Sequence, residues 1–472
     1  MKQLFKHFAL LVMGALISGC AAEVDDLQPT TNGTVTMKTT ISLSEQASTR
    51  ALDIYGNKTF AAGDQIAVVY EQESGTAKAL SVALTDDDIT NGGKDAAFTV
   101  TLSSPKANGK VRYIYPASMV ADDVSATAPG NAATIKWSNL NTQDGLLSSL
   151  ASKLDLATFD GEMTAQGNLP KTATLANQLT IGKFIIKNSA TNSTITGNIT
   201  KLTISDGTNT YTVNTSSLST IYVAMKPISD TQTVVVQATD GTTHYVKTVT
   251  GKTLAKNNIT PVNVTMFAGT PASSAAAADK GKFLGADGFI YADAAAATAT
   301  GTTLVALICY VGDDAETSAS NTTYKHGLAL ALTDASTSAM WCSQTSETCL
   351  ATQYISSYRE DMAGIANTDA LIAHGSHTHA AASMARNYNS GTHPIGTSAW
   401  FLPSSGQWDK MTTTAGFYTT LGSNANLQSG RYWSSTESGV HNIYIYAFWG
   451  YGGGWVGDSK DLDHHVRSAL AF

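Results

Sequence analysis

A mainly β chain, with one or two antiparallel β-sandwiches in its first half and an α+β module in its second, is what the 472 residues predict. Three observations carry this. Up to about residue 268, short segments alternate apolar and polar residues between Gly, Asn and Asp turns, as in Val35, Met37, Thr39, Ile41 and Leu43, or Val234 to Val236 followed by His244 to Val249. That period of two belongs to half-buried strands. Residues 269–282, with Pro271, Ser273, Ser274 and an alanine run, read as a linker. Beyond it six of the seven tryptophans and eight of the ten histidines appear, with helical signals in Asp369 to His374, Ala380 to Asn387 and Ser405 to Met411.

Taken in order, the chain opens with residues 1–19, where Lys2 and Lys6 precede an apolar run from Phe8 to Ile17. A bilayer span takes roughly 20 apolar residues, so this run reads as a secretory signal peptide. The sequence Ile17-Ser18-Gly19-Cys20 resembles a bacterial lipobox, which implies a diacylglycerol on the Cys20 thiol and a lipid anchor in the outer membrane. An ordinary signal peptide cut near Ala21 or Ala22 is the alternative, and both readings export the protein. Residues 20–34, polar and acidic, read as a tether.

Charged residues are only 14% of the chain, against about 25% in ordinary soluble domains. A net charge of −8 without clustered Lys and Arg argues against nucleic acid as a partner. With Cys20 lipidated, three cysteines remain. Cys342 and Cys349 are close enough in sequence to close a small disulfide loop in an oxidising compartment, which leaves Cys309, inside the apolar Leu304 to Val311, as a buried thiol.

Residues 35–268, with a possible split near 155, resemble the fimbrillin (Mfa-like) family of Bacteroidetes pilus subunits. The resemblance rests on the order of a lipobox, an early strand, Ser48-Thr49-Arg50-Ala51, the run Phe60 to Val68, and Tyr113-Ile114-Tyr115-Pro116-Ala117. It implies transthyretin-like sandwiches, cleavage after Arg50, and a groove opened by loss of the first strand that takes a strand from another pilus subunit. A solvated loop position for Arg50 is the plainer alternative. Stalk subunits of that family end in a donor strand where this chain continues into residues 283–472, so the resemblance implies a tip or accessory role.

Residues 283–472 carry a second resemblance, on Ala286 to Tyr291, His326 to Leu332, Ser398 to Trp408, Arg431-Tyr432-Trp433-Ser434-Ser435-Thr436-Glu437 and the closing Val466 to Phe472. Together these are similar to an Lcl-type C-terminal domain with a C-type-lectin-like fold. Read without the family, Pro403 stops a strand through Trp400, Phe401 and Leu402, and Ser404 or Ser405 starts a helix whose Trp408 turns back to the core. Packing explains Trp400, Trp408 and Trp433.

The candidate contact surface is the run from Tyr444 to Trp455, where glycines and aromatics exceed what one core can bury. Tyr446, Trp449, Tyr451 and Trp455 are its candidate ligand-binding residues, for a glycan or a surface protein. A tight hairpin with aromatics paired across strands is the competing reading. His374, His377 and His379 are spaced to bind a transition metal, but no neighbouring carboxylate or cysteine supplies an obvious fourth ligand, and a solvated loop accounts for them. His464 and His465 take the same discount, and the acidic Asp313, Asp314 and Glu316 lack calcium-loop spacing. No nucleophile with a base, paired carboxylates or phosphate loop stands out, so no catalytic residue, metal or cofactor is expected. The expected function is adhesion at a pilus tip or accessory position, and the alternative is a lipid-anchored glycan-binding protein outside any pilus.

Overall fold

The computed structural model describes residues 29–30, 33–43, 59–154, 156–318, 321–344, 348–350, 359–375, 377–413, 417, 424, 426–448 and 453–472, in a mainly β arrangement. They fall into two compact units. The first takes residues up to Asn139, Leu147–Thr180 and Lys256–Ile259, and the second takes Leu140–Leu146, Ile181–Ala255 and Thr260–Phe472.

The strands of the first unit begin with β1 (Pro29–Thr30), β2 (Thr34–Leu43), β3 (Ala67–Gln72), β4 (Gly75–Leu80), β5 (Ile89–Thr90), β6 (Asp95–Ser103) and β7 (Lys110–Tyr115). After β8 (Thr142–Gln143), which belongs to the second unit, come helix α1 (Leu147–Lys153), β9 (Ala157–Glu162) and β10 (Thr172–Asn177). Among the described residues these strands are ordered β4-β3-β7-β9-β10-β2-β6-β5, with β1 beside β2. The boundary read near residue 155 falls later, at Thr180, because β9 and β10 complete this sheet.

The alternation in β2 is realised as read: Met37, Thr39, Ile41 and Leu43 point inward while Lys38 and Thr40 face water. One pair departs from the antiparallel expectation. Strand β10 runs parallel to β2, Thr172 to Leu175 beside Thr40 to Leu43, then turns to pair Ala176 and Asn177 with β9. Both arms of the sheet thus feed one core of Met37, Ile41, Val68, Phe98, Val100, Tyr113 and Leu175.

The second unit continues with β11 (Thr180–Asn188), β12 (Lys201–Ser205), β13 (Thr210–Asn214), β14 (Ile221–Met225), β15 (Val234–Thr239), β16 (His244–Val249) and the long β17 (Ile259–Pro271). Then follow β18 (Phe283–Gly285), β19 (Phe289–Tyr291), α2 (Ala294–Thr300), β20 (Leu304–Val311), β21 (Gly327–Ala331), β22 (Ser336–Met340), α3 (Gly364–Ala373), α4 (Ala380–Arg386) and α5 (Ser405–Thr412). Last are β23 (Gly430–Glu437), β24 (Asn442–Phe448), β25 (Gly453–Ser459), β26 (Asp463–Val466) and β27 (Ala469–Ala471).

The expected linker at 269–282 is absent as a break. Strand β17 pairs with β16 through Phe267, Ala268 and Gly269 and then with β19 through Thr270 and Pro271, so one sheet runs from β8 to β27. Ala272 and Ala275 are buried against Leu284, Ile308, Trp400 and Phe472. Small apolar side chains look like linker composition in a sequence, yet they are what a close backbone approach requires.

A second, smaller sheet has the order β22-β26-β23-β24-β25. Between the sheets the segment Trp400-Phe401-Leu402 is fully buried on every side. Trp400 packs with Ile308 and Leu470, Phe401 with Leu307, Trp408 and Tyr432, and Leu402 with Trp341, Leu371 and Trp433. Three successive side chains therefore enter three clusters, where a regular strand would alternate between two faces. Pro403 follows, and Ser404 caps α5: its Oγ accepts the Gln407 N–H at 3.4 Å while Gln407 Oε1 accepts the Ser404 N–H at 3.0 Å. Trp408 turns inward as read.

Candidate functional site

Of the sites read from the sequence, Cys20, Arg50, Trp449 and Tyr451 lie outside the described residues. Strand β2, which precedes Arg50, is well placed to be judged. It holds nine register pairs with β6, Thr34 to Ser42 against Ser103 to Asp95, and four with β10 on its other side. Its removal would bare the backbone edges of both neighbours and a trough over Phe98, Val100 and Leu175. Two further segments of the fimbrillin resemblance meet in this unit. Tyr115 Oη donates to Asp64 Oδ2 at 2.7 Å, the Phe60 and Tyr115 rings meet edge to face at 5.4 Å, and Ala67 and Val68 pair with Ile114 and Tyr113. These segments build the core.

In the second unit the aromatic run divides. Tyr446 is only 4% exposed, its ring stacked on Trp408 at 5.8 Å and 5°, with Trp455 set edge-on against it at 5.2 Å. The register pairs Tyr446 with Trp455 across β24 and β25, and Phe448 with Gly453. The competing hairpin reading is therefore the structure's arrangement for these two residues. Tyr446 is core and not a contact residue, because the flat indole of Trp408 below it leaves no open face. Trp455 is half-buried as the outer member of the stack.

Two charged residues in the segments of the second resemblance are buried as well. Glu437, which ends the Trp433 to Glu437 run, is buried and accepts Lys460 Nζ at 2.5 Å, the Cys349 N–H at 2.9 Å and the Leu350 N–H at 2.8 Å. Arg467 is equally buried, donating from Nε to Asp334 at 2.6 Å and from Nη1 to the Ala331 carbonyl at 2.8 Å. Nothing in the sequence pairs Glu437 with Lys460; the antiparallel pairing of β24 with β23 on one side and β25 on the other brings them together.

The expected Cys342–Cys349 disulfide is not formed: both are buried thiols. Burial pushes the Cys349 thiol up to about 12. Cys309 is a buried thiol as expected, and burial raises it likewise to about 12. His464 pairs with Asp458 at 3.0 Å and His465 with Asp334 at 2.8 Å, so the neighbouring imidazoles serve separate partners. The acidic trio also disperses, Asp313 to His326 at 2.8 Å, Asp314 to Lys410 at 2.8 Å, and Glu316 to the N–H groups of Ser318 and Ile365.

A 420 Å³ cavity lies in the second unit, lined by hydroxyl side chains that include Thr208, Thr233, Thr248 and Thr302, together with His393 and Ile395. No sequence motif marked it. It gathers residues from β12, β15 and β16, from the chain around Gly301 and from the segment before Trp400, which are far apart in the chain.

The chain is similar to several solved structures. A fimbrial protein from Bacteroides ovatus matches at 14% identity over 92% of this chain and 99% of its own, with a TM-score of 0.34. A fimbrial assembly protein from Parabacteroides distasonis matches at 12% identity over 49% and 90%, with a TM-score of 0.28. The fimbrial anchor protein Mfa2 from Porphyromonas gingivalis matches at 10% over 46% and 80%, with a TM-score of 0.23. No family model and no curated protein matches the chain.

Proposed function

We propose that this chain is an exported surface lipoprotein, anchored through Cys20, that serves as a tip or accessory subunit of a pilus and adheres through a lectin-like C-terminal module. It has no catalytic activity in this reading. The observation that carries it is the position of β2: the segment ahead of Arg50 lies between β6 and β10 and contributes Met37, Ile41 and Leu43 to the core. Burying three such side chains is worth about 5–9 kcal/mol, so an empty slot is strongly disfavoured and a substitute strand strongly held. Adhesion to a glycan or a surface protein is assigned to the segment that joins β24 to β25, with Trp449, Tyr451 and the half-buried Trp455 as contacts.

The test is made on cells. Surface protein is treated with an arginine-specific protease and its N-terminus sequenced, and neighbouring subunits are captured by crosslinking. The reading expects a new N-terminus at Ala51 and a partner strand crosslinked beside β6. An uncut Arg50 with β2 still paired overturns it. The second reading, a glycan-binding lipoprotein outside any pilus, holds if Arg50 resists the protease and β2 keeps its pairing along both edges. A glycan array on the full chain, with Trp449→Ala and His393→Ala as arms, separates the aromatic segment between β24 and β25 from the hydroxyl-lined cavity.

A further inference from the structure

We infer that Cys342, Cys349, His379 and His374 are the ligands of a structural zinc ion in the C-terminal module. Both sulfurs and a ring nitrogen of His379 lie within 4.8 Å of one another, and all three residues are buried. His379 is the telling member. It is 2% exposed, yet neither Nδ1 nor Nε2 has a hydrogen-bond partner. An unmet buried polar atom is costly, and a thiol is too weak a hydrogen-bonding group to offset that. A cation bound at one nitrogen removes that nitrogen's share of the cost. We assign the fourth position to His374: its Nδ1 is also buried without a partner and its ring lies 5.3 Å from that of His379 at 88°, but it stands outside the 4.8 Å group and has to swing toward it.

The donor set chooses the metal. Two sulfurs and two imidazoles suit zinc, whereas calcium and magnesium take oxygen ligands. With zinc–sulfur bonds of about 2.3 Å and zinc–nitrogen bonds of about 2.0 Å, the ligand atoms of a tetrahedral site stand roughly 3.4–3.8 Å apart, so Cys342, Cys349 and His379 close by up to about 1 Å and His374 moves further. Two thiolates cancel the dication, and the centre adds no net charge to surroundings that include Leu350, Leu371, Ala381 and Leu402. Each thiol releases its proton as the metal binds. A Cys342–Cys349 disulfide would use the same sulfurs but leave both nitrogens of His379 unmet.

The surroundings hold the ligands in place. Gln344 N–H points at Cys342 Sγ at 3.4 Å, Cys342 N–H donates to the Lys460 carbonyl at 3.2 Å, and Cys349 N–H donates to Glu437. The Trp341 ring stands edge-on to His379 at 5.5 Å. Four protein ligands leave no open position, which marks a structural site and not a catalytic one. It joins the chain after β22 to the loop between α3 and α4. The histidine spacing, His-x4-His, fits zinc sites, but Cys-x6-Cys is wider than the usual cysteine pair.

The test uses the full exported chain, purified without chelator after growth with added zinc. Elemental analysis should find one zinc per chain, and cobalt in its place should give a sulfur-to-metal charge-transfer band. Zinc should fall to background in Cys342→Ser, Cys349→Ser and His379→Ala. Because such variants can unfold the module, wild type is also stripped by chelator and reloaded: its melting temperature should fall and then recover with zinc. Protein that carries no zinc, a Cys342–Cys349 disulfide found by mass spectrometry, or zinc that persists in the double cysteine variant would each overturn the site. His374→Ala should weaken zinc by at least about tenfold, and an unchanged affinity would remove His374 from the ligand set.

Discussion

Replacing Ile41 with alanine tests the strand-exchange reading at its physical centre. Ile41 is fully buried, and its cross-strand neighbours are Ala96 on β6 and Ala173 on β10. Neither alanine can swell into the gap, so the loss belongs toward the upper part of the 2–5 kcal/mol range for such truncations, about 4 kcal/mol. In the intact chain this should lower the melting temperature of the first unit by roughly 8–16 °C. After cleavage at Arg50 the same side chain is held only by packing and ladder bonds. At about 1.4 kcal/mol per tenfold, release of the cut strand should then be faster by nearly a thousandfold. A fluorophore placed before Thr34 reports the release after addition of an arginine-specific protease. If the cut Ile41→Ala chain keeps its strand as long as cut wild type does, the strand is not held by the contacts described and the reasoning fails.

Three further outcomes follow from the second unit. Lys460→Met leaves the Glu437 carboxylate buried without its cation and should cost about 3–5 kcal/mol in denaturant melts, with part of the loss recovered in the double variant Lys460→Met/Glu437→Gln. Tyr446→Ala should cost about 3 kcal/mol through lost stacking on Trp408, whereas Trp449→Ala should leave the melt unchanged and remove ligand binding; the reverse pattern on a melt and an array would contradict the hairpin assignment. His326 is raised above its ordinary 6.5 by the Asp313 carboxylate and then by the Ala275 carbonyl. Since the folded value is the higher one, the stabilisation is complete below about pH 6.5 and is lost as pH rises through the folded value. The melting-temperature difference between wild type and Asp313→Asn should therefore shrink as pH rises, and one that grows would contradict the pairing.

Much of this was legible in the residues themselves. The inward and outward sides of β2, the cap of α5 on Ser404, the helix at Ala380 and the buried Cys309 follow from period, capping chemistry and local hydropathy, which act over a few residues. The linker reading of 269–282 failed because composition cannot tell a solvated alanine from one pressed against Trp400. Tyr446 was misplaced for a related reason. Alternation put it on one face of a strand, but only the arrival of Trp408 from α5 closed that face.

The sequence by itself determined the class of the chain, the strands of its first half, and the existence of a tryptophan-rich α+β second half, because those depend on neighbours in sequence. Tertiary structure alone decided which polar groups are buried and with whom: Glu437 with Lys460, Arg467 with Asp334, and two cysteines beside an imidazole that lacks a partner. These groups meet across separations that no local pattern encodes, and burial away from water is what turns their proximity into an energetic demand.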